Sequence, residues 1–178
     1  NIVEITAGTQ NYFQSAIDYN GQLGEDVLYR LVALGRSADG PIDFSSNDAV
    51  AIAPSLTWSP DAQTSVTVLA SWQKNDTTPY IQFLSPYGTL NSAAPFANGD
   101  FLPQDVFIGE PSFNYYDGER SAVSLFGDHQ FNDIWGIGGS LRYTRSELDY
   151  AQMWWAYDNF DTGRYNPDGT INRAGELS

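Results

Sequence analysis

Two runs of alternating residues around a Ser-Pro-Asp turn dominate the hydrophobic pattern of this chain. Between residues 50 and 73, Ile52, Pro54, Leu56, Trp58, Val66, Val68, Ala70 and Trp72 share one parity, and Ala53, Ser55, Thr57, Ser65, Thr67, Ser71 and Gln73 the other. Side chains alternate across a strand, so the segment reads as a hairpin with one apolar and one small-polar face. Trp58 abuts the turn and Trp72 lies about eight residues from it. A soluble sandwich accounts for the alternation but not for that placement.

The same periodicity predicts seven strands, roughly Ile2–Gly8, Tyr12–Asn20, Leu28–Ser37, Val50–Trp58, Ser65–Lys74, Gly118–Phe131 and Ile134–Glu147. In the second, Phe13, Ile17 and Tyr19 oppose Gln14, Asp18 and Asn20. In the third, Tyr29, Leu31 and Ala33 oppose Arg30 and Arg36. In the last, Trp135, Ile137, Leu141 and Tyr143 alternate with Gly136, Gly138, Ser140 and Arg142. Glycine and small polar residues on the second face suit a wet lumen better than a packed core. At ~3.3 Å per residue and a tilt near ~40°, Trp58 and Trp72 would stand ~20 Å apart in height, close to the spacing of aromatic girdles on a membrane barrel. Pro54 has no N–H to give to a ladder and predicts a local bulge. Short connections (Gly21–Asp26, Ser59–Thr64, Asn132–Asp133) alternate with long ones (Ala38–Asp48, Asn75–Asp117, Leu148 onward). That asymmetry belongs to outer-membrane barrels. The expected fold is all-β: antiparallel, up-and-down strands of a transmembrane β-barrel.

Composition narrows the choice. No run approaches the ~18 apolar residues of a membrane-spanning helix, but barrel strands need only every second residue apolar. The net charge is −14 and Lys74 is the only lysine, which argues against nucleic-acid binding. With no cysteine there is no disulfide framework, thiolate metal site or cysteine nucleophile. The chain starts without Met and ends in a polar run, so it is expected to be a piece of something larger. Aromatics make up 15% of the residues and many fall in apparent loops, where a core does not require them.

Several stretches, in this order and spacing, resemble TonB-dependent siderophore receptors, and within them the ferrichrome (ferric hydroxamate) branch. They are A-G-T-Q-N-Y-F-Q-S-A-I-D-Y (7–19), Y-R-L-V-A-L-G-R-S-A-D (29–39), A-I-A-P-S-L-T-W-S-P-D (51–61), F-L-S-P-Y-G-T-L (83–90), G-E-P-S-F-N (109–114), D-H-Q-F-N-D (128–133) and S-L-R-Y (140–143). The resemblance weakens after about Tyr150. It implies a barrel of twenty-two strands, of which residues 1–178 would be the N-terminal part. It also implies a plug domain, absent from this chain, through which the TonB energy-transducing complex acts, and outer-membrane lipid around the barrel. The implied function is active uptake of ferric siderophores with no cofactor, protein-bound metal or catalysis.

In such receptors extracellular loops supply aromatics that cup the ferric chelate. By that resemblance the ligand-binding residues are Tyr80, Phe83, Tyr87, Trp154, Trp155 and Tyr157. Ile81 and Ala156 stand where the family carries aromatics, and Phe83 stands for an indole. The bland alternative is that these rings pack the loops or form the outer girdle. His129 is the only histidine, and any triad or His-ligated metal would have to use it; a place beside a periplasmic turn suits it better. The acidic segments 158–163 and 166–170 fit turn chemistry better than calcium loops. Arg30, Arg36 and Arg142, with Asp18 and Asp128, are expected on the lumen face. Two other functions compete. A secreted or periplasmic β-sandwich carbohydrate-binding module would bury Leu56, Trp58, Val66, Val68, Ile137 and Leu141 between two sheets. An esterase-like enzyme would place a serine and an acid at His129.

Overall fold

The computed structural model describes residues 1–84, 88–90 and 101–153. Among them are seven strands and no helix: β1 (Ile2–Ala7), β2 (Phe13–Leu23), β3 (Val27–Ser37), β4 (Ser46–Trp58), β5 (Thr64–Thr78), β6 (Tyr115–Gln130) and β7 (Gly136–Ala151). They form one antiparallel sheet in chain order. Three turns close one end. Gly24 takes φ 71° in the first, a left-handed conformation that glycine adopts without a Cβ penalty. Asp61 accepts the Gln63 N–H in the second, at 2.9 Å. In the third, the Asn132 side chain accepts the N–H groups of Ile134 and Trp135, both at 2.9 Å.

Register carries the apolar positions onto one face. Leu56 pairs with Val68, Val68 with Leu125, and Leu125 with Leu141, an unbroken apolar rung over four strands. Next to it Trp58 pairs with Val27 and Val66, and Ile137 with His129. This belt is largely exposed: Leu56 is 48% accessible, Ile137 64% and Leu141 71%. The only buried apolar residues among those described are Ala38 and Ala122. A sandwich must bury that belt against a second sheet, and here there is a single layer with its apolar side bare. Such a face is stable against hydrocarbon rather than water.

The opposite face carries charged and small polar residues beside apolar Leu28, Val32, Leu34, Leu69 and Phe126, and it is tied across strands. Arg30 grips Asp18 in a fork, Nε to Oδ1 at 2.9 Å and Nη2 to Oδ2 at 2.6 Å. Arg36 donates to the Asn47 side chain at 2.7 Å, and the Thr57 and Thr67 hydroxyls meet at 2.9 Å. Arg142 and Asp128 share this face, opposite Ser124 and Gly138.

Two expectations need correction. Pro54 makes no bulge. It pairs with Leu31 on one side, and on the other Ile52–Trp72 and Ser55–Leu69 enclose two residues of each strand, so none is inserted. The missing N–H interrupts the ladder locally and leaves the register intact. The strands are also longer than expected at the loop end: β4 starts at Ser46, β5 runs to Thr78, β6 starts at Tyr115 and β7 ends at Ala151. Beyond Trp72 both faces become polar, so alternation stops marking a strand while backbone pairing continues.

Candidate ligand-capture site

The connections Gly8–Tyr12, Ala38–Ser45 and residues 79–114 all leave from one end of the sheet, opposite the short turns. Backbone and side-chain bonds join them. Asp39 N–H reaches the Gln10 carbonyl at 2.8 Å, Asn11 Nδ2 donates to the Asp39 carboxylate at 2.5 Å, and Asp43 N–H reaches the Asp105 carbonyl at 2.8 Å. Phe44, held at φ 61°, lays its ring 6.1 Å from that of Phe107. A bulky residue in this left-handed region carries backbone strain that its surroundings must offset.

Tyr80 and Phe83 leave β5 on this rim, and both are about half exposed. They face different surroundings. Tyr80 lies beside Gly40, where an added Cβ would come 3.4 Å from the ring and 2.1 Å from Ser45 Oγ. Phe83 lines a shallow cleft with Ile81, Phe107 and Met153. Gly109 lets Asn114 and Phe107 come close, since a Cβ there would sit 2.3 Å from Asn114 Nδ2 and 2.6 Å from the Phe107 ring and would force those side chains to shift. Tyr87, Trp154, Trp155 and Tyr157 lie outside the described residues, as do the acidic segments 158–163 and 166–170. Phe44 and Phe107 were missed by the sequence reading. Both are loop aromatics, but only packing shows that they share this rim.

Electrostatics set the rim apart. Its described connections (8–12, 38–45, 79–84, 88–90 and 101–114) carry Asp39, Asp43, Asp105 and Glu110 and no lysine or arginine. Just below, on the apolar side of the sheet, Asp48, Asp76, Asp117 and Asp149 form one rung across β4 to β7. Further down, Trp72 Nε1 donates to Glu119 at 2.8 Å. Among the described residues no His, Cys, Asp or Glu group is arranged to hold a metal ion.

His129 sits at the other end. Its Nδ1 is 2.9 Å from the Thr64 hydroxyl, and its ring packs edge-on against Phe131, centroids 4.6 Å apart. The hydroxyl at the ring is threonine, not the serine that an esterase-like reading required. Asp61, in the same turn region, has its carboxyl held below the usual carboxylate range by the Thr64 hydroxyl, with burial opposing it.

No family model matches the chain. Curated relatives do. It is 35% identical over 154 residues to the ferrichrome outer membrane transporter/phage receptor of Escherichia coli, covering 85% of this chain and 20% of the relative. It is 30% identical over 176 residues to the ferrioxamine receptor of Yersinia enterocolitica, covering 94% and 23%. By sequence and by fold, the chain belongs with the TonB-dependent siderophore receptors. It spans about a fifth of the length of those two relatives, 20% and 23%. The solved ferric-catecholate import receptor Fiu of Escherichia coli superposes with a TM-score of 0.70 at 21% identity, over 83% of this chain and 22% of that one. For a receptor of this family, a bare apolar belt on a single sheet is one arc of the barrel wall, and the aromatic rim is the end that carries the long loops.

Proposed function

We propose that this chain supplies the first strands of a closed outer-membrane barrel that takes up ferric siderophores of hydroxamate type. Residues 1–178 form the N-terminal part of that barrel. A plug domain beyond this chain couples it to the TonB complex, and membrane lipid surrounds the apolar belt. The work is capture and passage, without catalysis or a resident cofactor. Tyr80 and Phe83, with Tyr87, Trp154, Trp155 and Tyr157, are the proposed ligand contacts; flat, rigid rings suit a partly apolar chelate and tyrosine adds a hydroxyl.

The observation that carries the hydroxamate choice is the charge of the rim. Three hydroxamate groups, each singly negative, neutralise ferric iron, whereas three doubly negative catecholates leave a trianion. Four carboxylates and no cation on the described connections repel a trianion and leave a neutral or cationic chelate unhindered. The names of the ferrichrome and ferrioxamine relatives point the same way.

The test is equilibrium binding to the full-length receptor of a ferrichrome-type trihydroxamate against a ferric tris-catecholate. The expected result is preference for the trihydroxamate, with Tyr80→Ala and Phe83→Ala each weakening it by about tenfold, or ~1.4 kcal/mol. Tighter binding of the trianion would overturn the charge argument. Unchanged affinity in both alanine variants would remove these residues from the site.

A further inference from the structure

Residues 79–84 leave the end of β5 without regular structure, yet they carry two of the proposed ligand contacts. Gln82 lies between those contacts and is half-buried where Ile81 and Phe83 on either side are exposed. Its amide makes two bonds to one stretch of backbone: Nε2 donates to the Val106 carbonyl at 2.6 Å, and Oε1 accepts the Ile108 N–H at 3.0 Å. The side chain thereby satisfies the N–H of one residue and the carbonyl of another two positions away, as a neighbouring strand would. One bond would fix a distance and leave a hinge; two also fix orientation. Only this amide orientation serves both partners, since the flipped one would set oxygen against carbonyl and NH2 against N–H.

Two further amides complete the restraint. Gln152, just past β7, donates to the Ile81 carbonyl. Asn114, itself buried, accepts the Met153 N–H at 3.0 Å. The segment bearing Tyr80 and Phe83 is therefore pinned on one side to residues 106–108 and on the other to the end of β7.

We infer that Gln82 is a positioning residue of the capture rim, whose two-point bond to Val106 and Ile108 holds Tyr80 and Phe83 where the chelate meets them. The inference rests on the siderophore reading for its ligand. A rim ordered in advance does not lose conformational freedom on binding, so loosening it weakens affinity even though the contacting rings are unchanged. Glutamate cannot replace glutamine here: a carboxylate still accepts from Ile108 but offers nothing to the Val106 carbonyl.

The experiment uses the full-length receptor with Gln82→Met and Gln82→Glu. It measures trihydroxamate affinity, the thermal unfolding midpoint, and hydrogen exchange at the Ile108 amide. The expected result is about tenfold weaker binding for Gln82→Met with an unmoved midpoint and faster Ile108 exchange. Gln82→Glu should keep Ile108 protected and fall between the two in affinity. Parental affinity in Gln82→Met, or an Ile108 amide that exchanges in the parent as fast as an open loop, overturns the clamp. A parent that binds no trihydroxamate overturns the hydroxamate reading instead, and Ile108 exchange then judges the clamp by itself: an unchanged rate in Gln82→Met rejects it.

Discussion

Replacing Asp117 with asparagine should stabilise the full-length receptor, because Asp117 sits in the middle of a row of like charges. Asp76 on β5 and Asp149 on β7 stand directly opposite it, and Asp48 on β4 extends the row. Directly opposed Cβ atoms in an antiparallel pair are ~4.5–5.5 Å apart. Two unit charges ~5 Å apart repel by about 0.8 kcal/mol in water. Two such neighbours, screened with a Debye length of ~8 Å, leave about 1 kcal/mol. Lys74, in the next rung on β5, offsets part of this. One Asp117 oxygen is also shut off from solvent without a hydrogen-bond partner, and an amide there could instead donate to Asp76. The expected gain for Asp117→Asn is ~0.5–1 kcal/mol at physiological salt, growing as salt is lowered and shrinking as it is added. pH supplies a second axis. Burial first, then the Asp76 charge, raises the Asp117 pKa. A raised pKa means that the folded state holds a proton the unfolded chain has released, so this group's contribution is full below its unfolded pKa and is lost as pH rises through the folded one. The asparagine variant lacks that slope, and its advantage should be greatest at neutral pH and fade in acid. The assay is thermal unfolding of parent and variant in detergent, at two salt concentrations and across acidic to neutral pH. A variant no more stable than its parent at low salt, or one whose advantage ignores both salt and pH, would refute the reasoning.

Arginine at adjacent positions of β7 should separate the two faces. Leu141→Arg, on the apolar belt, should cost ~2–4 kcal/mol if it lies near the bilayer midplane, whereas Ser140→Arg, on the polar face, should be tolerated; folding yield into lipid vesicles reads the difference, and equal yields would sink the face assignment. Arg30→Met should destabilise only slightly, because its forked pair with Asp18 is partly solvated; a loss in chemical denaturation as large as that of Leu141→Arg would mean the pair is sealed from water. Asp61 has a depressed pKa, so the stability it contributes is present above its unfolded pKa and lost as pH falls through the folded one. Asp61→Asn should therefore show a flatter stability profile on the acid side, and an unchanged profile would argue against the Thr64 contact.

The strands through the apolar belt were legible because each must present an apolar side chain at every second position. Ile52, Leu56, Val66, Val68, Leu125 and Leu141 all announce their face by parity, and register confirms it rung by rung. Past Trp72 that constraint lapses. Asn75, Asp76, Thr77 and Thr78 remain paired, but neither face needs to be apolar, so the periodicity that reveals a strand disappears while the strand does not. Pro54 misled for the opposite reason: a local chemical oddity suggested a register fault, yet losing one donor does not require an extra residue.

The rim was legible only where side-chain type alone carries meaning. Tyr80 and Phe83 stand out as loop aromatics. Gln82 does not, because its role depends on a carbonyl and an N–H more than twenty positions away, at Val106 and Ile108. The aspartate rung is hidden in the same way, since its members are dispersed along four strands and only pairing makes them neighbours. Position in the barrel then explains why such a row survives at all. Within the belt a carboxylate on that face would meet hydrocarbon, but these four lie beyond Trp72, where water and counterions screen them. Each opposed pair therefore costs about 0.5 kcal/mol rather than several. Together with the loop acids, that modest cost maintains a negative field over this end of the sheet, and on the proposed reading net charge becomes a property that the receptor selects on before any ring makes contact.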